Sequence, residues 1–89
     1  VSYYRTKDGK QDYKFSFERQ SGGDWVPFIL AQPGYGGRDT DLHPTHRLID
    51  DGRYYVCWTD PLWSLSDAKR VAALWADATQ EYIRTGKRF

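Results

Sequence analysis

The sequence predicts an α+β domain: an antiparallel sheet of four to five strands, made of a meander plus a hairpin, with one long C-terminal amphipathic helix packed on one face. Three observations predict this class. Short apolar runs separated by turn residues fill 2–59, one segment with helical periodicity fills 64–86, and the connections are mostly short. Short connections force neighbouring strands to pair antiparallel. Strands followed by a helix on one face define the class.

The helix is predicted from its two ends and from its period. Ser64 is a helix-capping residue, and Asp67 brings negative charge to the first turn. Gly86 is a typical helix stop, because glycine adopts the left-handed conformation without strain. Between them, apolar residues recur at helical spacing. The positions predicted to face the sheet are Ala68, Val71, Ala72, Trp75, Thr79 and Tyr82, with Leu65, Leu74, Ala76, Ala78 and Ile83 widening the stripe.

Three strands are predicted before residue 32. Residues 2–6 form the first, and Asp8-Gly9 is the preferred pair for a two-residue hairpin turn. Residues 11–19 form the clearest strand, since aromatic and polar residues alternate along it. The residues expected on its buried face are Tyr13, Phe15 and Phe17.

The third strand, Trp25–Ala31, is apolar on both faces. Pro27 cannot donate to a ladder, so we expect this strand to be an edge there, or to be bulged. Apolarity on both faces indicates that the second face is covered by a loop or by another subunit.

A long glycine- and proline-rich loop is predicted over 32–47, where these residues should prevent regular structure. A second hairpin follows, with Leu48-Ile49 joined to 54–59 by the turn Asp50-Asp51-Gly52. Loops this long in small domains are often functional.

The composition indicates one small domain spanning 1–89. The net charge of +1 provides no overall attraction to nucleic acid or to an anionic membrane. One cysteine, Cys57, excludes an intrachain disulfide and fits a reducing compartment, so we expect a cytoplasmic protein. No apolar run is long enough to cross a membrane, and no secretory signal is visible.

The aromatic content leads to the main functional hypothesis. Four tryptophans, seven tyrosines and four phenylalanines are too many for the centre of 89 residues, so some should line a rim, groove or interface. We therefore expect a non-enzymatic binding or assembly module whose partner is a second copy of the chain or another protein. The residues expected to contact the partner are Trp25, Phe28, Leu30, Tyr35 and Trp63.

Nucleic-acid binding is the first alternative. Aromatic and basic residues interleave in the first hairpin, as in proteins that stack bases beside cations, and the C-terminal tail is basic. The residues expected to act are Arg5, Tyr13, Lys14 and Arg88. The order of elements over 11–85 is broadly similar to that of AP2-like and integrase arm-type DNA-binding domains, which lay a sheet in the major groove. That similarity carries no residue roles.

A small-ligand or metal site in the 34–46 loop is the second alternative. His43, His46 and Asp41 are weak candidate metal ligands, although Pro44 argues against a helix that aligns the two rings. Residues 34–38 are glycine-rich and could hold an anion beside Arg38, but they match no phosphate-loop pattern. Cys57 is expected in mid-strand as a small buried hydrophobe. No cofactor and no catalytic residue is predicted.

Overall fold

Five antiparallel strands, one long helix and one short helical turn make up the fold. A computed structural model describes residues 1–89. The elements in chain order are β1 (Ser2–Arg5), β2 (Asp12–Arg19), β3 (Trp25–Ala31), α1 (Leu42–Thr45), β4 (Arg47–Asp50), β5 (Arg53–Val56) and α2 (Leu65–Thr85). The strands form one sheet in the order β1-β2-β3-β5-β4, with every neighbouring pair antiparallel. The predicted α+β class is confirmed.

Both predicted ends of α2 are confirmed. The Ser64 hydroxyl accepts a hydrogen bond from the Asp67 N–H at 3.0 Å. Gly86 has φ 77°, and its N–H donates to the Tyr82 carbonyl. A side chain at Gly86 would also meet the Arg38 guanidinium, since an added Cβ would lie 2.8 Å from Nη1. The sequence signals were therefore sufficient to predict where the helix begins and where it ends.

The buried stripe of α2 matches its helical period. Its buried residues are Ala68, Val71, Ala72, Trp75, Ala76, Thr79 and Tyr82. Leu65 and Leu74 were expected to widen the stripe, and this was wrong: they are 37% and 48% exposed. In the sheet, α2 contacts β2 and β3. Leu65 is the first residue of the helix, and Leu74 lies beside the buried stripe rather than within it.

The helix covers the sheet face that carries the aromatic residues of β2. Tyr13 and Phe15 are 0% and 1% exposed. The Trp75 ring meets them edge-on, with centroids 5.7 Å and 6.1 Å away, a favoured aromatic geometry. Trp75 Nε1 donates to the Thr45 carbonyl at 3.0 Å. This aromatic cluster is the centre of the core.

The second face of β3 is covered locally by side chains from neighbouring strands. Phe28 is 4% exposed. The Arg53 guanidinium lies 3.9 Å above the Phe28 ring, and the Tyr55 ring lies 5.5 Å from it. Arg53 is held there by Glu18 at 2.7 Å. Cross-strand residues therefore provide the cover that was expected from a loop or another subunit.

Pro27 does not place β3 at the edge of the sheet, because β3 lies between β2 and β5. The ladder between β3 and β5 contains a single pair, Phe28 opposite Tyr55. Pro27 is not part of that pair, so the ladder does not need an N–H group from it. The irregularity in β2–β3 pairing falls at Lys14/Phe15 rather than at Pro27. Strand β3 is therefore central as a whole, although at Pro27 itself it has no partner in β5, as the local expectation of an edge requires.

Two further expectations were wrong in the second half of the chain. The 32–47 segment contains the helical turn α1, with Pro44 inside it. Proline is tolerated there because N–H groups in the first turn of a helix have no intrahelical partner. Strand β5 ends at Val56, so Cys57 lies beyond it, and its N–H donates to the His46 carbonyl at 2.9 Å.

Candidate interaction surface

The structure does not bring the five residues expected to contact a partner onto one surface. Phe28 and Tyr35 are buried, at 4% and 8% exposure. Trp25 is half-buried and packs against the core, on the face of β3 opposite to Phe28. Leu30 and Trp63 are exposed, at 43% and 65%.

The glycine-rich segment 34–38 is attached to the C-terminal end of α2. The Tyr35 ring lies 6.1 Å from the Tyr82 ring. Arg38 donates from Nε to the Ile83 carbonyl at 3.3 Å and from Nη2 to the Arg84 carbonyl at 3.4 Å. These carbonyls belong to the last turn of α2, where cations are favourable. Arg38 is thus already engaged, which gives an anion site in this segment no geometric support.

Arg47 is a buried cation without a carboxylate partner. It is 7% exposed, and none of the ion pairs in the structure includes it. Its guanidinium lies 5.0 Å from the Tyr35 ring centroid and 4.1 Å from that of Tyr54. It donates to the Thr40 carbonyl and to Thr45 Oγ1, each at 3.0 Å. Stacking and hydrogen bonds to neutral groups together hold this charge.

The residues expected to bind nucleic acid have other partners. Tyr13 is fully buried under α2. Arg5 pairs with Asp12 at 2.9 Å, and Arg88 pairs with Asp39 at 3.2 Å. Lys14 is the one basic residue of this set without a carboxylate partner, and its Nζ lies 5.7 Å from the Tyr3 ring centroid.

The two histidines lie at the end of α1. Their rings are 6.5 Å apart and nearly parallel, although Pro44 lies between them in the chain. The expectation that Pro44 would prevent a helix there was wrong, as α1 shows. No group of three or more His, Cys, Asp or Glu side chains is arranged to hold a metal ion.

Three apolar grooves lie side by side, two of them beside Trp58. The first, of about 360 Å³, lies beside α2 and includes Leu74; the second, of about 340 Å³, lies beside β3 and includes Tyr55. Trp58 lines both. Leu48 lines the second and also the third, of about 340 Å³, which includes Leu42. We call the exposed apolar residues of these grooves, Leu42, Leu48, Trp58, Leu74 and Phe89, the Trp58 surface.

The residues of the Trp58 surface are between 37% and 48% exposed. None of them was singled out from the sequence as a contact residue. Leu74 has the periodicity of a core position, and Trp58 continues the alternation of a strand. Their exposure depends on how α1, α2 and the sheet pack against one another, which no local pattern records.

Strand β4 is the edge of the sheet beside this surface. Leu48 and Ile49, its two central residues, are 40% and 49% exposed. Edge strands are often protected by lysine, proline or a bulge. Strand β4 contains neither lysine nor proline, and its register with β5 is regular. The side chains of Leu48 and Ile49, and the outer backbone groups of Ile49, are therefore open to a partner.

Two tyrosine hydroxyls, of the half-buried Tyr4 and the fully buried Tyr13, have raised pKa values. Burial, together with a 2.7 Å hydrogen bond that the Tyr4 hydroxyl donates to Asp77 Oδ2, raises the pKa of Tyr4 to about 12. Burial also raises the pKa of Tyr13, whose hydroxyl has no hydrogen-bond partner. Both hydroxyls therefore stay protonated in the folded state at pH values where they would be ionised in the unfolded chain.

We therefore expect alkaline pH to destabilise the fold. Because the folded-state pKa values are raised, this stability is fully present below about pH 10 and is lost as the pH rises through them. Urea unfolding between about pH 8 and about pH 11 tests this. Tyr4→Phe and Tyr13→Phe should reduce the loss of stability, whereas Tyr3→Phe, at an exposed ring, should keep the wild-type slope. Equal slopes in all three variants would contradict the assignment.

Comparisons with known proteins assign neither a family nor a function to this chain. No protein-family model matches the chain, and comparison with curated proteins and with solved structures gives no match. Neither helix combines the length and the apolar character needed to cross a membrane.

Proposed function

We propose that this protein is a non-enzymatic assembly module that self-associates through the Trp58 surface. One observation carries the proposal: three apolar grooves join into one surface beside an edge strand whose central residues are exposed and apolar. A cytoplasmic location, which the single free Cys57 favours, is part of the same proposal.

Size and composition support a second copy of the chain as the partner. A standard protein–protein interface buries about 800 Å² of accessible surface on each partner. That is roughly one-seventh of the 5550 Å² accessible surface of this molecule. A tryptophan at the centre of joined apolar grooves is the typical anchor of such an interface. Two-fold dimers are the commonest closed assemblies.

Trp58→Ser should weaken self-association on the order of tenfold or more, because an aromatic anchor at the centre of an interface contributes at least about 2 kcal/mol. Light scattering across a wide concentration range measures this. The wild-type mass should approach twice the 10.4 kDa of the chain. Tyr3→Ser is the matched control, because Tyr3 is 71% exposed on β1, the opposite edge of the sheet.

Two outcomes would overturn the proposal. A wild-type protein that stays monomeric at every concentration would remove its basis. Retention on single-stranded nucleic acid that is lost with salt and with Lys14→Ala would favour the nucleic-acid alternative instead. The exposed position of Lys14 beside Tyr3 is the feature that this alternative would use.

A further inference from the structure

We propose that β4 pairs with β4 of a second copy, antiparallel about a two-fold axis at Leu48, so that two five-stranded sheets become one continuous sheet. This inference rests on the self-association proposed above and specifies its geometry. It is argued from three features of β4: the direction of its backbone groups, its register, and the distribution of charge along it.

The turn after β4 determines which backbone groups point outward. Asp51 and Gly52 have φ 49° and 76°, the pattern of a type I′ hairpin turn. Such a turn is closed by a hydrogen-bonded pair, here Asp50 and Arg53. Hydrogen-bonded and non-hydrogen-bonded pairs alternate along an antiparallel ladder. The N–H and C=O groups of Arg47 and Ile49 therefore point away from β5.

Two observations agree with this alternation. The His46 carbonyl, two residues before Leu48, accepts from the Cys57 N–H at 2.9 Å, as an inward-facing group should. No backbone hydrogen bond outside the ladders involves Arg47 or Ile49. Because β4 is an edge strand, these outward N–H and C=O groups have no ladder partner; Ile49 is 49% exposed, whereas Arg47 is only 7% exposed.

These outward groups determine one register. When Arg47 of each copy pairs with Ile49 of the other, four backbone hydrogen bonds form around the two-fold axis. Leu48 then faces Leu48 of the second copy in a non-hydrogen-bonded pair, where Cα atoms are about 4.5 Å apart and side chains are closest. The exposed Leu48 side chains cover each other, and α2 of both copies lies on the same face of the joined sheet.

The same register keeps like charges apart. Asp50 of each copy then lies opposite the backbone of His46 of the other, so the two acidic turns lie at opposite ends of the paired segment. Asp50 and Asp51 make no ion pair within the chain. The His46 ring itself is occupied within the chain, since it stacks on the Phe89 ring with centroids 4.4 Å apart and its Nε2 lies 2.5 Å from the Phe89 main-chain oxygen. Antiparallel pairing thus joins the histidine end of one β4 to the acidic turn of the other.

A disulfide across the two-fold axis tests the register. Leu48→Cys in a Cys57→Ser background should give a covalent dimer on mild oxidation, because the expected Cα separation falls within disulfide range. Leu30→Cys in the same background is the control: Leu30 is similarly exposed, at 43% against 40% for Leu48, but lies on β3. Equal cross-linking from both cysteines, or none from Leu48→Cys, would overturn the inference.

Ile49→Pro tests the backbone pairing. The outward N–H of Ile49 makes no bond within the chain, so proline should preserve the β4–β5 ladder while removing two of the four intermolecular hydrogen bonds. We expect at least tenfold weaker dimerisation with an unchanged melting temperature under monomeric conditions, and wild-type dimerisation for Ile49→Val. If Ile49→Pro fails to fold, Leu48→Lys tests the same pairing through charge repulsion.

The outcomes separate the two proposals. A dimer that needs Trp58 but gives no Leu48 cross-link keeps the proposed assembly and overturns the β4 pairing. A monomeric wild-type protein overturns both. An Ile49→Pro variant that dimerises as tightly as the wild type would also rule out the pairing.

Discussion

Trp75→Ala should lower the free energy of unfolding by about 3–5 kcal/mol, the usual range for a buried tryptophan. Trp75 is 4% exposed, and its ring meets the Tyr13 and Phe15 rings edge-on. Its loss leaves a cavity at the centre of the core and removes the donor to the Thr45 carbonyl. Native proteins are stable by only about 5–15 kcal/mol, so this loss removes a large part of the free energy of unfolding and should lower the melting temperature.

Urea unfolding followed by far-UV circular dichroism measures the effect. Leu74→Ala is the matched control, since Leu74 is the preceding residue of α2 but is 48% exposed; it should cost less than about 1 kcal/mol. Trp75→Phe should fall between the two, because it keeps a ring in the core but leaves the Thr45 carbonyl without its donor. Similar losses for Leu74→Ala and Trp75→Ala would mean that Trp75 is not the centre of the core.

Arg47→Ala should cost about 2–4 kcal/mol, because a stacked and hydrogen-bonded buried side chain is removed. The Arg47 guanidinium lies close to the Tyr35 and Tyr54 rings. It donates to the Thr40 carbonyl and to Thr45 Oγ1. Without the guanidinium group, these two acceptors lose their hydrogen-bond donor, and the Tyr35 ring loses the cation that stacks on it.

The Arg47→Lys variant separates the contribution of the positive charge to stability from that of the planar guanidinium group. Lysine keeps the positive charge but loses the planar fork and most of the stacking, so we expect it to recover less than half of the stability. Arg70→Ala is the control, because Arg70 makes an exposed pair with Asp67 at 3.5 Å; pairs of this kind contribute about 0–1 kcal/mol. Thermal melts of the three variants provide the comparison. Full recovery by lysine would show that charge alone holds this region.

Both residues attach the 32–47 segment to the rest of the fold. Trp75 of α2 donates a hydrogen bond to the Thr45 carbonyl, and Arg47 of β4 donates one to Thr45 Oγ1. The groove residues Leu42 and His46 flank Thr45, so their positions depend on these contacts. Tests of assembly should therefore use Trp58 and Ile49, whose side chains are 47% and 49% exposed and whose replacement leaves these contacts intact.

The sequence alone determined the features that depend on neighbouring residues. The cap at Ser64, the stop at Gly86 and the inward alternation of Tyr13 and Phe15 were all predicted correctly. Each arises from backbone geometry or side-chain period within a few residues, so a short stretch of chain contains the whole cause. The α+β class follows from the order of these elements.

Only the tertiary structure decided which rings are hidden and which are exposed. Tyr35 has the surroundings of a surface loop but is buried, whereas Trp58 has the alternation of a strand but lines open grooves. Arg47 resembles a surface residue at the start of a strand, yet it lies in the interior. Contacts such as Trp75 with Thr45 join residues 30 positions apart. Exposure depends on how such distant segments pack together, and local sequence patterns do not contain that information.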